Sequence, residues 1–154
     1  MVVKKTFRLT KEGVAEMEAE LARSLEQRVV IADAIKIARE FGDLSENTEY
    51  QSSRSAQERN DARISELEHI LQNVELIQAP KAGAKVQLGS RVTLKGAKGE
   101  KVFQVVGTVE ADPLNGKISD ESPIGQALIG KKEGDSVEIK TPAETSSYTI
   151  SSIG

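Results

Sequence analysis

Two long stretches of this chain carry no proline, and a few residues join them. The first runs from Lys11 to about Glu40, with Gly13 its only glycine; the second runs from about Glu46 to about Ile77. In the first, apolar residues fall at Val14, Met17, Leu21, Leu25, Val29, Ala32 and Ile35, in steps of three and four, which is helical spacing. In the second, a seam passes through Tyr50, Ser53, Gln57, Asn60, Ile64, Leu67, Leu71 and Val74, the alternation of a two-stranded coiled coil. Thr10 suits the N-cap of the first helix, and Gly42 the left-handed residue just past its end. Each helix has roughly 30 residues and so extends on the order of 45 Å. The short connection at residues 41–47 requires the helices to be antiparallel neighbours. The far half of the second seam is apolar and its near half polar, so the hairpin is expected to be firm at its base and looser at its turn.

Composition suits such a thin element. Aromatic residues make up 3% of the 154 residues, charged residues 29%, and there is no tryptophan. The net charge of −3 disfavours sequence-independent binding to bare nucleic acid, though not contact with it inside a larger assembly. Without cysteine there is no disulfide framework, thiolate metal site or cysteine nucleophile. The N-terminus lacks the apolar core of a signal peptide and no long apolar run exists, so a cytoplasmic protein with no membrane span is expected.

Past Pro80 the pattern changes. Val86–Leu88, Arg91–Leu94, Val102–Val106, Val137–Ile139 and Tyr148–Ile150 are β-rich runs separated by glycine-containing turns. A short helix is expected at Pro123–Ile129, closed by Gly130. The fold class is therefore α+β, with a coiled-coil hairpin over residues 1–79 and a mostly antiparallel β domain with one short helix over residues 80–154.

The turn carries the chemistry. Asp43 and Glu46 stand three residues apart, at the start of the second helix. Read alone, the spacing resembles a capping box, and acids there also complement the helix dipole. It also places two hard oxygen donors on one side of a helix start, half of a site for Mg²⁺, which takes octahedral oxygen coordination and keeps several waters. Arg39 and Arg54 flank the turn, placed to steady a phosphate backbone or to pair with Glu40 and Glu49. His69 has no surrounding arrangement that suggests a triad, and no phosphate loop, zinc spacing or nucleophile elbow is present.

The run Ala38–Tyr50 (Ala-Arg-Glu-Phe-Gly-Asp-Leu-Ser-Glu-Asn-Thr-Glu-Tyr) resembles the tip motif of the bacterial Gre transcript cleavage factors. The run Ser122–Asp135 resembles the second signature of that family, in its C-terminal domain. The resemblance implies that the C-terminal domain is FKBP-like and that the partner is bacterial RNA polymerase, whose secondary channel the arm enters. It implies that Asp43 and Glu46 are catalytic, holding a second Mg²⁺ jointly with the polymerase for hydrolysis of the backtracked nascent RNA 3′ segment. Arg39, Asn47, Tyr50 and Arg54 match tip-flanking positions, and no membrane or small-molecule substrate is implied. Such a factor is no enzyme by itself; it activates the hydrolytic activity of the polymerase. The acidic pI, about 5.4, and the absence of a dense basic run along the arm favour the less basic branch of the family. Gly125, where the family often has alanine, is a departure that touches packing. The alternatives are a channel-plugging inhibitor, a prolyl isomerase, for which the C-terminal half offers only Phe103 and Tyr148 as pocket aromatics, and a scaffold without chemistry.

Overall fold

The computed structural model describes residues 5–42, 47–78, 80–81, 83–140 and 142–154. Two helices dominate the first half, α1 (Lys11–Arg39, 29 residues) and α2 (Thr48–Gln72, 25 residues). The chain divides into two compact units, residues 14–74 and residues 1–13 with 75–154. The sequence boundary near Pro80 thus differs from this division: strand β1 (Phe7–Leu9) pairs with strand β2 (Val74–Leu76), which ties the first residues to the later part of the chain.

In the helical unit the two helices are antiparallel, as their cross-links show. Glu20 meets Arg63, Ser24 meets Asn60 and Ala38 meets Asn47, so the partner number falls as the first number rises. The buried residues are Met17, Ile31, Ile35 and Ala38 of α1 and Ile64, Leu67 and Ile70 of α2. The line expected through Leu25, Val29 and Ala32 lies on the outside instead: Leu25 is 40% and Val29 62% exposed, and Ala32 is exposed. Geometry explains the difference. Each step of four overshoots a full turn by about 40°, so the run Met17, Leu21, Leu25, Val29 rotates off the seam. α2 also stops at Gln72 rather than near Ile77, because Val74–Leu76 forms β2.

The middle of the hairpin is polar and cross-linked. The Arg63 guanidinium donates to both carboxylate oxygens of Glu20, Nε to Oε1 at 2.7 Å and Nη2 to Oε2 at 2.9 Å, and its Nη1 donates to Glu66 at 2.8 Å. The Asn60 amide donates to the Ser24 carbonyl at 2.9 Å. This fork fixes helix register more than it adds stability, since both partners are over one-third exposed. The hydrogen bond from Arg63 holds the Glu20 carboxyl below its ordinary value of 4.5. A depressed carboxyl stabilises the fold above its unfolded pKa and loses that contribution as pH falls through the folded value. Arg63→Met is therefore expected to lower the urea midpoint of the hairpin at pH 7 by the equivalent of at most ~1 kcal/mol. The difference from wild type should vanish when both are measured below the lowered Glu20 value.

The other unit is built on a five-stranded sheet in the order β5 (Lys117–Ser119), β4 (Gly99–Val106), β3 (Arg91–Gly96), β7 (Thr145–Ile153), β6 (Ser136–Lys140). All neighbours are antiparallel except β4 and β5, which are parallel. Alternation builds the core: Val92, Leu94, Val105, Ile118, Val137, Ile139 and Ile150 face inward and pack with Val86, Leu128, Tyr148 and Ile153. Val86–Leu88 is not a strand. The N–H of Val86 donates to the Lys131 carbonyl at 2.9 Å, and its own carbonyl accepts from Gly130, so the loop after α3 takes the bonds a sheet neighbour would use. Helix α3 (Pro123–Leu128) starts at Ser122, whose hydroxyl accepts from the Gly125 N–H at 3.1 Å and donates to the Ser119 carbonyl at 2.6 Å. A Cβ on Gly125 would lie 2.0 Å from that carbonyl oxygen, so here the backbones approach more closely than an alanine allows. No helix among the described residues is long and apolar enough to cross a membrane.

Candidate functional site at the turn between the helices

Local bonds define both sides of the turn. At the end of α1, Glu40, Phe41 and Gly42 donate their N–H groups to the carbonyls of Ile37, Ala38 and Arg39, a tightened last turn. Gly42 takes φ 107°, a region that side-chain-bearing residues rarely enter, and a Cβ there would meet nothing within 4 Å. The requirement for glycine is thus conformational and not spatial. Asp43, Leu44, Ser45 and Glu46 lie outside the described residues.

α2 begins at Thr48, and Asn47 is its N-cap. The Asn47 Oδ1 accepts from the Tyr50 N–H at 3.1 Å, and its Nδ2 donates to the Ala38 carbonyl at 2.6 Å. One side chain therefore caps α2 and bridges to the last turn of α1. The capping role that spacing alone gives Asp43 is held by Asn47, four residues later. Asn47→Ala removes both bonds and is expected to destabilise the helical unit by about 1–2 kcal/mol. Asn47→Asp keeps the cap but sets a carboxylate against the Ala38 carbonyl. It should therefore protect the Tyr50 amide from exchange while loosening the end of α1, measured residue by residue in ¹⁵N NMR.

The other flanking residues are placed as follows. Arg39 closes α1, and its guanidinium carbon lies 5.9 Å from the centre of the Tyr50 ring, within cation–π range. Arg54 is exposed and donates from Nη1 to the Gln57 side chain at 2.8 Å, rather than to Glu49. The structure thus joins Arg39, Asn47 and Tyr50 in one linked group, with Arg54 one turn further along α2. Beside them runs a groove of 490 Å³ lined by Ala34, Ile37, Ala38, Thr48, Glu49, Ser52 and Ser53. Ile37 and Phe41 are 56% and 69% exposed, apolar surface that spacing did not single out. Among the described residues, no three Asp, Glu or His side chains converge as a metal cluster. His69 lies on the exposed face of α2.

Comparison with known proteins places both halves of the chain. The family described as "Transcription elongation factor, N-terminal" matches residues 7–76, and that described as "Transcription elongation factor, GreA/GreB, C-term" matches residues 80–154. Among curated relatives, "Transcription elongation factor GreA" of Lactococcus lactis subsp. cremoris (strain MG1363) is 45% identical over 144 residues, covering 91% of this chain and 92% of the relative. The protein of the same name from Beijerinckia indica is 46% identical over 148 residues, covering 94% of each chain. A solved structure of the transcription factor Gfh1 is 29% identical, covers 98% of this chain and 99% of its own, and superposes with a TM-score of 0.49. From residue 7 to residue 154, broken only between 76 and 80, this chain belongs to the GreA/GreB family of transcription elongation factors.

Proposed function

We propose that this protein binds bacterial RNA polymerase in the cytoplasm, extends its helical arm through the secondary channel and stimulates cleavage of backtracked nascent RNA near its 3′ end. The observation that carries the reading is the position of Asp43 and Glu46. Both fall in the short segment between Arg39 and Thr48, which joins two long helices, in a chain that matches the elongation-factor family over residues 7–76 and 80–154. At ~1.5 Å per residue, α1 spans about 43 Å, a long, thin reach that suits carrying two carboxylates to a recessed site of a partner.

The donor set fits Mg²⁺ in part. Two carboxylates are hard oxygen ligands, but an octahedral ion needs more, so Asp43 and Glu46 would share it with polymerase carboxylates, RNA phosphate and water. When bound, the ion lowers the pKa of its water and offsets charge on the scissile phosphate. The chain's own residues do the rest. Asp43 and Glu46 orient the attacking water and accept its hydrogen bonds. Arg39 and Arg54 supply positive charge to the displaced RNA backbone, with Arg39 steadied by the Tyr50 ring. Asn47 holds the end of α1 to the start of α2. The protein completes a hydrolytic site of the polymerase and is not itself a nuclease, because its pair lacks the remaining ligands.

The test is addition of the protein to stalled, backtracked elongation complexes with 3′-proximal label in the RNA, at several Mg²⁺ concentrations. The expected result is Mg²⁺-dependent release of a 3′ fragment and resumed elongation from the new end. Binding without fragment release overturns the reading and leaves a factor that occupies the channel without chemistry.

A further inference from the structure

The N-terminal segment and the loop after β4, both in the compact unit of residues 1–13 and 75–154, are locked together by a buried carboxylate. Glu110 lies in the turn that follows β4, and its side chain is 3% exposed. Its Oε1 accepts from the Thr10 N–H at 2.8 Å and from the Thr10 hydroxyl at 2.9 Å, and its Oε2 lies 2.7 Å from the same hydroxyl. The Thr10 hydroxyl in turn accepts from the Gly13 N–H at 3.0 Å, the N-cap bond of α1. Lys117 Nζ stands 3.9 Å from Oε2.

Two glycines make the approach possible. A Cβ on Gly13 would sit 2.2 Å from Glu110 Oε1 and 2.4 Å from its Cδ. A Cβ on Gly107 would sit 2.5 Å from the Arg8 carbonyl oxygen. Gly13 is helical with no positive φ, so alanine there would favour the helix were Glu110 absent. The carboxylate occupies the space that a Cβ on Gly13 would need. An unlinked N-cap threonine needs neither a buried acid nor a glycine three residues on.

We propose that Glu110 is a positioning residue for the tip: it fixes the first turn of α1 on the β domain, so that the far end of the helix is delivered within catalytic tolerance. The inference rests on the cleavage reading above. The lever is long. On a helix of about 43 Å, a play of ~5° at the root moves the far end by about 4 Å. Catalytic groups need placement to within about 0.5 Å, and a misplacement of ~1 Å can cost about 10²-fold in rate. A loosened root therefore weakens cleavage while docking of the β domain persists.

The experiment compares wild type with Glu110→Ala, Glu110→Gln, Gly13→Ala and the double variant Gly13→Ala/Glu110→Ala. Each is titrated into backtracked complexes to separate the saturated cleavage rate from the half-saturating concentration. Exchange of the Thr10 and Gly13 amides is followed by NMR on the free proteins. Glu110→Ala is expected to lower the saturated rate about 10-fold or more, to shift half-saturation by less than about 2-fold, and to speed Thr10 exchange about 10-fold. Glu110→Gln still accepts one bond from Thr10 and should recover part of both. Gly13→Ala should be as harmful as Glu110→Ala in the wild-type background and harmless beside it, a reversal that ties the glycine to the carboxylate. A saturated rate for Glu110→Ala equal to that of a cleaving wild type overturns the proposal. Unchanged Thr10 protection in Glu110→Ala overturns the anchor itself, whether or not wild type cleaves. A wild type that binds without cleaving overturns the reading of the tip acids, and with it any role of Glu110 in delivering them.

Discussion

Asp43→Asn/Glu46→Gln is expected to abolish stimulated RNA cleavage, with the rate at saturation falling by at least ~10²-fold, while polymerase binding and melting stay at wild-type values. Each change keeps side-chain size and one hydrogen-bonding oxygen but removes the charge. A neutral amide oxygen is a poor ligand for Mg²⁺, and charge stabilisation at the reacting phosphate is worth about 10²–10³-fold per group lost. Stability should hold because the cap of α2 belongs to Asn47, whose bonds to Tyr50 and Ala38 survive the double change. Raised Mg²⁺ should restore a little activity to the single variants and almost none to the double. A double variant that cleaves like wild type would remove both acids from the chemistry.

Leu94→Ala is expected to give the largest loss of stability, about 2–5 kcal/mol. Leu94 is fully buried, sits on the central strand β3 opposite Lys101 of β4 and Ile150 of β7, and has Val92, Val105 and Tyr148 in the same core. Natural domains hold only about 5–15 kcal/mol, so the β unit would melt on the order of 10 °C earlier. Differential scanning calorimetry checks this, with the hairpin transition as an internal reference, since two compact units need not unfold together. The functional signature differs from that of the tip. The variant should lose polymerase binding on warming and regain full cleavage on cooling, whereas the tip variant binds at every temperature and cleaves at none.

Much of this architecture was legible because helical spacing is a strong local signal. The two long helices, their antiparallel pairing, the strands β3, β4, β6 and β7 and the short helix α3 all follow from periodicity and turn residues. What was missed depends on partners distant in sequence. Val74 fits the coiled-coil seam by spacing, and only its pairing with a strand near residue 8 makes it β. β5 holds one apolar side chain, Ile118, too little for a strand pattern. Val86–Leu88 has strand composition, but the loop after α3 takes its backbone groups. The carboxylates of the turn were readable from their motif. Asn47 matched a tip-flanking position of the motif, but its cap on α2 and its bridge to Ala38 could not be read from spacing, because the bridge joins two helix ends nine residues apart. Glu110 carried no pattern. Its one trace was Gly13, a glycine in a helix start where alanine would serve, paired with a threonine three residues before.

The pairing of β1 with β2 has a consequence for how such a chain can change. Seen from the sheet, residues 14–74 are a single insertion whose two ends leave and rejoin the same unit through neighbouring strands. Strands in a ladder lie about 4.8 Å apart, whatever the length of chain that loops out between them, and doubling a loop changes its closure cost by only about 0.6 kcal/mol. Reach is thereby uncoupled from anchorage. Adding or removing seven residues in both helices together keeps the buried seam facing inward and alters the span by about 10 Å. The hairpin is a gauge whose length can be reset in whole heptads, with the β1–β2 pairing untouched.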